Sequence, residues 1–122
     1  MQHSTEFLKL VNEAKARIKQ TTVDEVNHRL RSGEMLTLVD VREDSEWERG
    51  RIKGATHLGK GVIERDVEVT FPDKNRELIL YCGGGYRSAL AADSLQQMGY
   101  TNVVSMDGGW RAWNEKRLPT EG

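Results

Sequence analysis

The chain holds a single cysteine, Cys82. A lone thiol excludes an internal disulfide framework and a Cys-rich zinc site, and it fits a reducing compartment. An excess of charge of either sign is also missing. The 18 Lys and Arg residues face 19 Asp and Glu, for a formal net charge of -1. No strong field therefore points to nucleic acid or to an anionic membrane. Long apolar runs are absent, and nothing approaches the roughly 20 residues that span a bilayer. The first 20 residues lack the continuous apolar core of a secretory signal, and Glu6 and Glu13 argue against a mitochondrial transit peptide. The histidines are His3, His28 and His57, and no two have metal-ligand spacing. There is no internal repeat and no low-complexity linker. The expectation is a cytoplasmic, soluble protein with no metal, no cofactor, no nucleic-acid partner and no membrane partner.

What is present suits one domain. The chain has 122 residues, 37% apolar and 30% charged, enough for a real core without cross-links. Phe7, Leu10, Val11, Ala14 and Ile18 recur at helical spacing. Residues 4–16 therefore read as an amphipathic helix capped by Ser4 or Thr5, and residues 1–17 as an appendage to a domain over 18–122. The segment 17–20 reads as a short first strand. In "TTVDEVNHRLRSG", Thr22 caps a helix, Glu25 follows three residues on, and Gly33 stops it. Residues 35–41, "MLTLVDV", form a buried strand rich in β-branched side chains. A short helix or turn at "DSEWERG" and a brief strand in "GATHLGKG" come next. "ELILYC" is a clear strand, "RSALAADSLQQMGY" a helix, "TNVVSM" a strand, and "GGWRAWNEKRLP" a final helix stopped before Pro119. Strands alternating with helices predict an α/β fold with a mainly parallel sheet.

The strand ends carry the chemistry. They read Asp40-Val41-Arg42, Gly59-Lys60-Gly61, Cys82 with its glycines, and Asp107-Gly108-Gly109. Ligands of open parallel sheets bind at this carboxyl edge. After Cys82 come Gly83, Gly84, Gly85, Tyr86 and Arg87. A helix starting near Arg87 aims its unpaired N–H groups back at the loop. Glycines allow successive amides to turn inward as an anion-binding cup, and Arg87 adds a fixed charge. Such a setting favours a thiolate nucleophile without a histidine base. A buried, inert cysteine beside a harmless turn is the ordinary reading of one thiol near an apolar strand. The glycines, the arginine and the strand–loop–helix setting together outweigh it. A dinucleotide fingerprint fits less well, since Ser88 stands where the third glycine of G-x-G-x-x-G belongs.

Over roughly residues 18–118 the sequence resembles the single-domain rhodaneses, the thiosulfate sulfurtransferase-like family. Three motifs carry the resemblance: "DVREDSEWERGRIKGA" at 40–55, "CGGGYRS" at 82–88 and "DGGWRAW" at 107–113. It implies a central sheet of about five strands flanked by helices on both faces. It implies a sulfurtransferase in which Cys82 carries a sulfane sulfur as a persulfide, taken from a donor such as thiosulfate or a persulfide. The acceptor would be a small thiol, cyanide or a protein thiol. It makes 83–87 the amide cradle, Arg87 the catalytic cation ending it, and Asp40 and Arg42 structural support beside the site.

Arg51 and Lys53 replace a usual His and Pro at a surface turn. Gly83 stands where thiosulfate-using members often carry a basic residue, leaving one cation at the loop and favouring a less charged donor. Cell-cycle-type phosphatases use a C-x5-R loop, whereas this one is C-x4-R, with Ser88 at the phosphatase arginine's place. A non-enzymatic docking or sulfur-sensing module is a further alternative, and the intact Cys82 argues against it. Lys60 is expected at the rim of the site, with Tyr86 pointing outward from the loop toward an acceptor. Arg65, His28 and the acidic run "EDSEWE" are expected to be solvated, and His57, Trp47, Trp110 and Trp113 to be structural.

Overall fold

A computed structural model describes residues 3–122; Met1 and Gln2 of the expected N-terminal appendage lie outside the described residues. In chain order the elements are α1 (Thr5–Arg17), β1 (Lys19–Thr22), α2 (Val23–Arg31), β2 (Leu38–Asp40), α3 (Asp44–Arg49), β3 (Arg51–Ile52) and β4 (Thr56–His57). These are followed by α4 (Ile63–Thr70), β5 (Leu78–Tyr81), α5 (Tyr86–Gln97), β6 (Val103–Asp107), α6 (Gly109–Glu115) and β7 (Thr120–Glu121).

Five strands form one sheet in the order β1-β6-β5-β2-β4, and every pairing in it is parallel. The inner strands β6, β5 and β2 are buried on both faces, and side chains alternate between them with the two-residue period of a strand. Leu78, Leu80 and Cys82 face one core, with Ile63 and Val67 of α4 and Ala91, Ala92 and Leu95 of α5. Ile79 and Tyr81 face the other, with Val23 and Val26 of α2 and Trp113 of α6. Burying each Val, Leu or Ile among them contributes about 1.5–3 kcal/mol. The parallel arrangement brings Asp40, His57, Asp107 and the residue after Tyr81 to one edge.

The predicted caps form. Ser4 Oγ accepts from the Phe7 amide at 3.2 Å and Thr22 Oγ1 from the Glu25 amide at 3.1 Å. The first strand lies two residues later than expected, because Arg17 still belongs to α1, where it makes two hydrogen bonds to Asp93 of α5 (3.0 and 2.8 Å). Val11 and Ala14 are fully buried, so α1 is packed onto the domain. The pattern reading did not find α4. Its β-branched residues disguise a helix whose Ile63 and Val67, four apart, share the buried face while Val69 is exposed. It also omitted β3 and β7, two-residue strands paired antiparallel, too short to show any periodicity.

Candidate active site

Cys82 leaves the end of β5 and is 1% exposed. Its Sγ accepts hydrogen bonds from the amides of Gly85 (3.1 Å) and Ser88 (3.4 Å). The thiol in turn donates to Ser88 Oγ at 3.6 Å, and the Ser88 hydroxyl shares a 2.8 Å hydrogen bond with the buried Ser105 hydroxyl of β6. Ser88 and Ser105 therefore belong to the sulfur's surroundings.

The glycines have separate tasks. Gly85 has φ +108°, and a β-carbon there would sit 3.0 Å from Asp107 Oδ1, so both conformation and space require glycine. Gly83 and Gly84 do not adopt left-handed backbone. A β-carbon would meet only the tip of Arg87 at the first and Arg111 Nη1, at 3.8 Å, at the second. Their small size opens the cup without being a conformational demand. The cup is held from behind by α6. The Trp110 amide donates to the Cys82 carbonyl (2.8 Å) and the Arg111 amide to the Gly83 carbonyl (3.0 Å). Those carbonyls are thus turned toward α6, which gives the "DGGW" motif a physical role.

Arg87 does not stand alone over the loop. Its guanidinium grips Glu46 of α3 through two hydrogen bonds, 2.6 and 3.1 Å. The expectation that "EDSEWE" is a solvated face is corrected at Glu46, whose side chain is 31% exposed. The Arg87 hydrogen bond holds the Glu46 carboxyl below its usual range, against the opposing effect of burial. The same bond, and then the proximity of Cys82, holds the guanidinium in its charged form against desolvation.

Asp40 and Arg42 lie beneath the site as a buried ion pair. Arg42 donates from its amide (2.9 Å), Nε (3.0 Å) and Nη2 (2.7 Å) to the Asp40 carboxylate, and from Nη2 to the Gly50 carbonyl (2.7 Å). Burial opposes the guanidinium's charge, and the bonds and charge of Asp40 outweigh it. Arg42 also stacks on the Trp110 ring, 4.7 Å from its centroid. It thereby braces the residue whose amide holds the Cys82 carbonyl. His57 Nε2 donates to the Arg42 carbonyl at 2.8 Å, and its ring stacks on Trp47 at 4.9 Å. Tyr81, adjacent to Cys82 in sequence, accepts the Ile52 amide at 3.2 Å, and burial pushes its hydroxyl's pKa upward.

A cavity of about 960 Å³ opens over the sulfur. Cys82, Gly83, Gly84, Tyr86 and Arg87 line it, as do Glu46, Trp110 and Arg111. Lys60, expected at the rim, is not among its lining residues; its amide bonds the Val41 carbonyl at 2.9 Å. The expected single cation is also corrected, because Arg111 of α6 supplies a second. Tyr86 packs against the amino end of α1, where His3 and Phe7 complete the cavity wall. The amphipathic pattern revealed the helix but not which part of the domain its end touches.

The family model described as Rhodanese-like domain matches residues 22–116. A sulfurtransferase of Allochromatium vinosum is 31% identical over 102 residues, covering 84% of this chain and 94% of the relative. The Mycobacterium tuberculosis protein named "Probable adenylyltransferase/sulfurtransferase MoeZ" is 34% identical over 98 residues, 80% of this chain. The match spans only 25% of that relative's length. Among solved structures, a Rhodopseudomonas palustris protein of unknown function, described with tyrosine phosphatase as its suggested activity, superposes with a TM-score of 0.87. It is 30% identical, with 99% of this chain and 98% of that one covered. The parallel sheet, the cysteine loop at its carboxyl edge and the family match agree: the chain belongs to the rhodanese-like domain family.

Proposed function

We propose that the protein is a sulfurtransferase that carries a sulfane sulfur on Cys82. One observation carries the reading: Cys82 lines an open cavity that Arg87 also lines, and its Sγ accepts two amide hydrogen bonds from the loop and the start of α5. The Cys82 thiolate attacks the outer sulfur of the donor. A bond forms between the two sulfurs, the donor's own S–S bond breaks, and the leaving group departs with the electron pair. That group is sulfite from thiosulfate and a thiolate from a persulfide. The amides and Arg87 stabilise negative charge at the transferred sulfur. An incoming thiolate or cyanide then takes that sulfur, and Cys82 leaves as the thiolate.

The physiological acceptor is a small thiol, cyanide or a protein thiol, and the working compartment is the cytoplasm. No helix among the described residues is long and apolar enough to cross a membrane. The loop's four intervening residues and the inward-bonded Ser88 favour sulfur transfer over phosphate-ester hydrolysis. The test is turnover with thiosulfate or a thiol persulfide as donor and cyanide or a thiol as acceptor. Cys82→Ser is expected to abolish it while leaving the fold intact. Substantial turnover in that variant would overturn the reading.

A further inference from the structure

The amino end of α1 forms part of the cavity wall over Cys82. His3 and Phe7 stand in an aromatic cluster with Tyr86. The ring centroids are 4.8 Å apart for His3–Tyr86, 6.1 Å for Phe7–Tyr86 and 5.3 Å for His3–Phe7. Both contacts to Tyr86 are edge-on, a favoured geometry for aromatic pairs. The helix is anchored behind this wall. Val11 and Ala14 are buried, Arg17 grips Asp93, and Lys15 lies over the Tyr86 ring at 5.2 Å while facing Asp107 at 3.7 Å.

A cavity of about 960 Å³ is at the upper end of the roughly 300–1,000 Å³ that enclose organic ligands. An inorganic sulfur anion leaves most of it empty and gains nothing from an aromatic wall. Cys82 is 1% exposed, so a donor must reach into the cavity to meet it, which a flexible small thiol does readily. Opposite chemistry is also present: Arg111, Asn114 and Glu115 of α6 line the same space. They offer partners for the carboxylate, amide and ammonium groups of a peptide-like thiol.

We propose that His3 and Phe7, packed on Tyr86, are specificity-determining residues that receive the carbon framework of a low-molecular-weight organic thiol whose persulfide donates to Cys82. This rests on the sulfurtransferase reading of the site and extends it to the N-terminal helix.

The full chain is assayed with two donors, glutathione persulfide and thiosulfate, in wild type, Phe7→Ala and Phe7→Leu. Phe7→Ala is expected to lower the ratio of persulfide to thiosulfate kcat/KM by about tenfold, mainly through the persulfide KM, as loss of an aromatic contact does. Phe7→Leu, which keeps apolar bulk, recovers most of that loss. Leu10→Ala, on the exposed side of the same helix, leaves the ratio unchanged and controls for helix stability. A parallel fall with both donors, or an unchanged ratio in Phe7→Ala, overturns the assignment while leaving sulfur transfer standing. So does equal use by wild type of a folded protein bearing a surface persulfide. Absence of transfer from both small donors overturns the sulfurtransferase reading, and this assignment with it.

Discussion

Gly109 stands against the carbonyl of Cys82 so closely that a β-carbon on it would lie 2.3 Å from the oxygen and 3.1 Å from the carbonyl carbon. Both atoms are backbone, so no side-chain adjustment relieves the clash. Gly109 also has φ +51°, which disfavours side chains. Gly109→Ala should therefore destabilise the fold by on the order of 3 kcal/mol, from overpacking and the left-handed backbone together. It should also displace the loop that α6 holds. Gly83→Ala, with ordinary φ and only the tip of Arg87 nearby, should stay within about 1 kcal/mol. Chemical denaturation of both variants checks this; equal stability would remove the packing argument.

The Arg87–Glu46 pair makes part of the stability depend on pH. Glu46 is held below its usual 4.5, first by the Arg87 hydrogen bond. A depressed carboxylate stabilises the fold above its unfolded value and loses that contribution as pH falls through the lower folded value. The stability difference between wild type and Glu46→Gln should thus be full at pH 7, on the order of 1 kcal/mol. It should shrink below pH 4.5. Urea midpoints across pH 3–7 are the measurement, and a difference independent of pH would show that shape rather than charge matters.

Two cations line the cavity and should respond differently to removal. Arg87→Ala should lower kcat/KM for thiosulfate and for a persulfide by roughly 10²–10³, the usual consequence of losing a donor aimed at transition-state charge. Arg111→Ala should cost thiosulfate roughly tenfold, as expected for a charge-assisted contact of about 1.5 kcal/mol. The less charged persulfide should lose less. Equal losses with both donors in Arg111→Ala would place Arg111 with the chemistry rather than with charge recognition.

Local signals made the scaffold readable. The apolar run ending at Tyr81 announced a clear strand, which is buried throughout, and Thr22 and Ser4 announced helix starts. Cys82 and Arg87 were legible because loop chemistry is contiguous in sequence. What lay hidden was long-range. Glu46 is 41 residues from Arg87, Ser105 is 17 from Ser88, and Phe7 meets Tyr86 only because α1 packs on α5. Hydrophobic periodicity says which face of a helix is buried, but not which loop its end reaches. Lys60 illustrates the converse: a suitable residue type at a strand end is not among those that line the cavity.

The central claim is that Cys82 carries the sulfur, and intact-protein mass after exposure to donor tests it most directly. Because Cys82 is the only cysteine, no second thiol in the chain can resolve a persulfide. Purified protein treated with a persulfide or thiosulfate, then freed of donor, should gain the mass of one sulfur atom. It should keep that mass until a thiol or cyanide is added, and Cys82→Ser should gain none. An unchanged mass in the wild type, or the same gain in Cys82→Ser, would contradict the account.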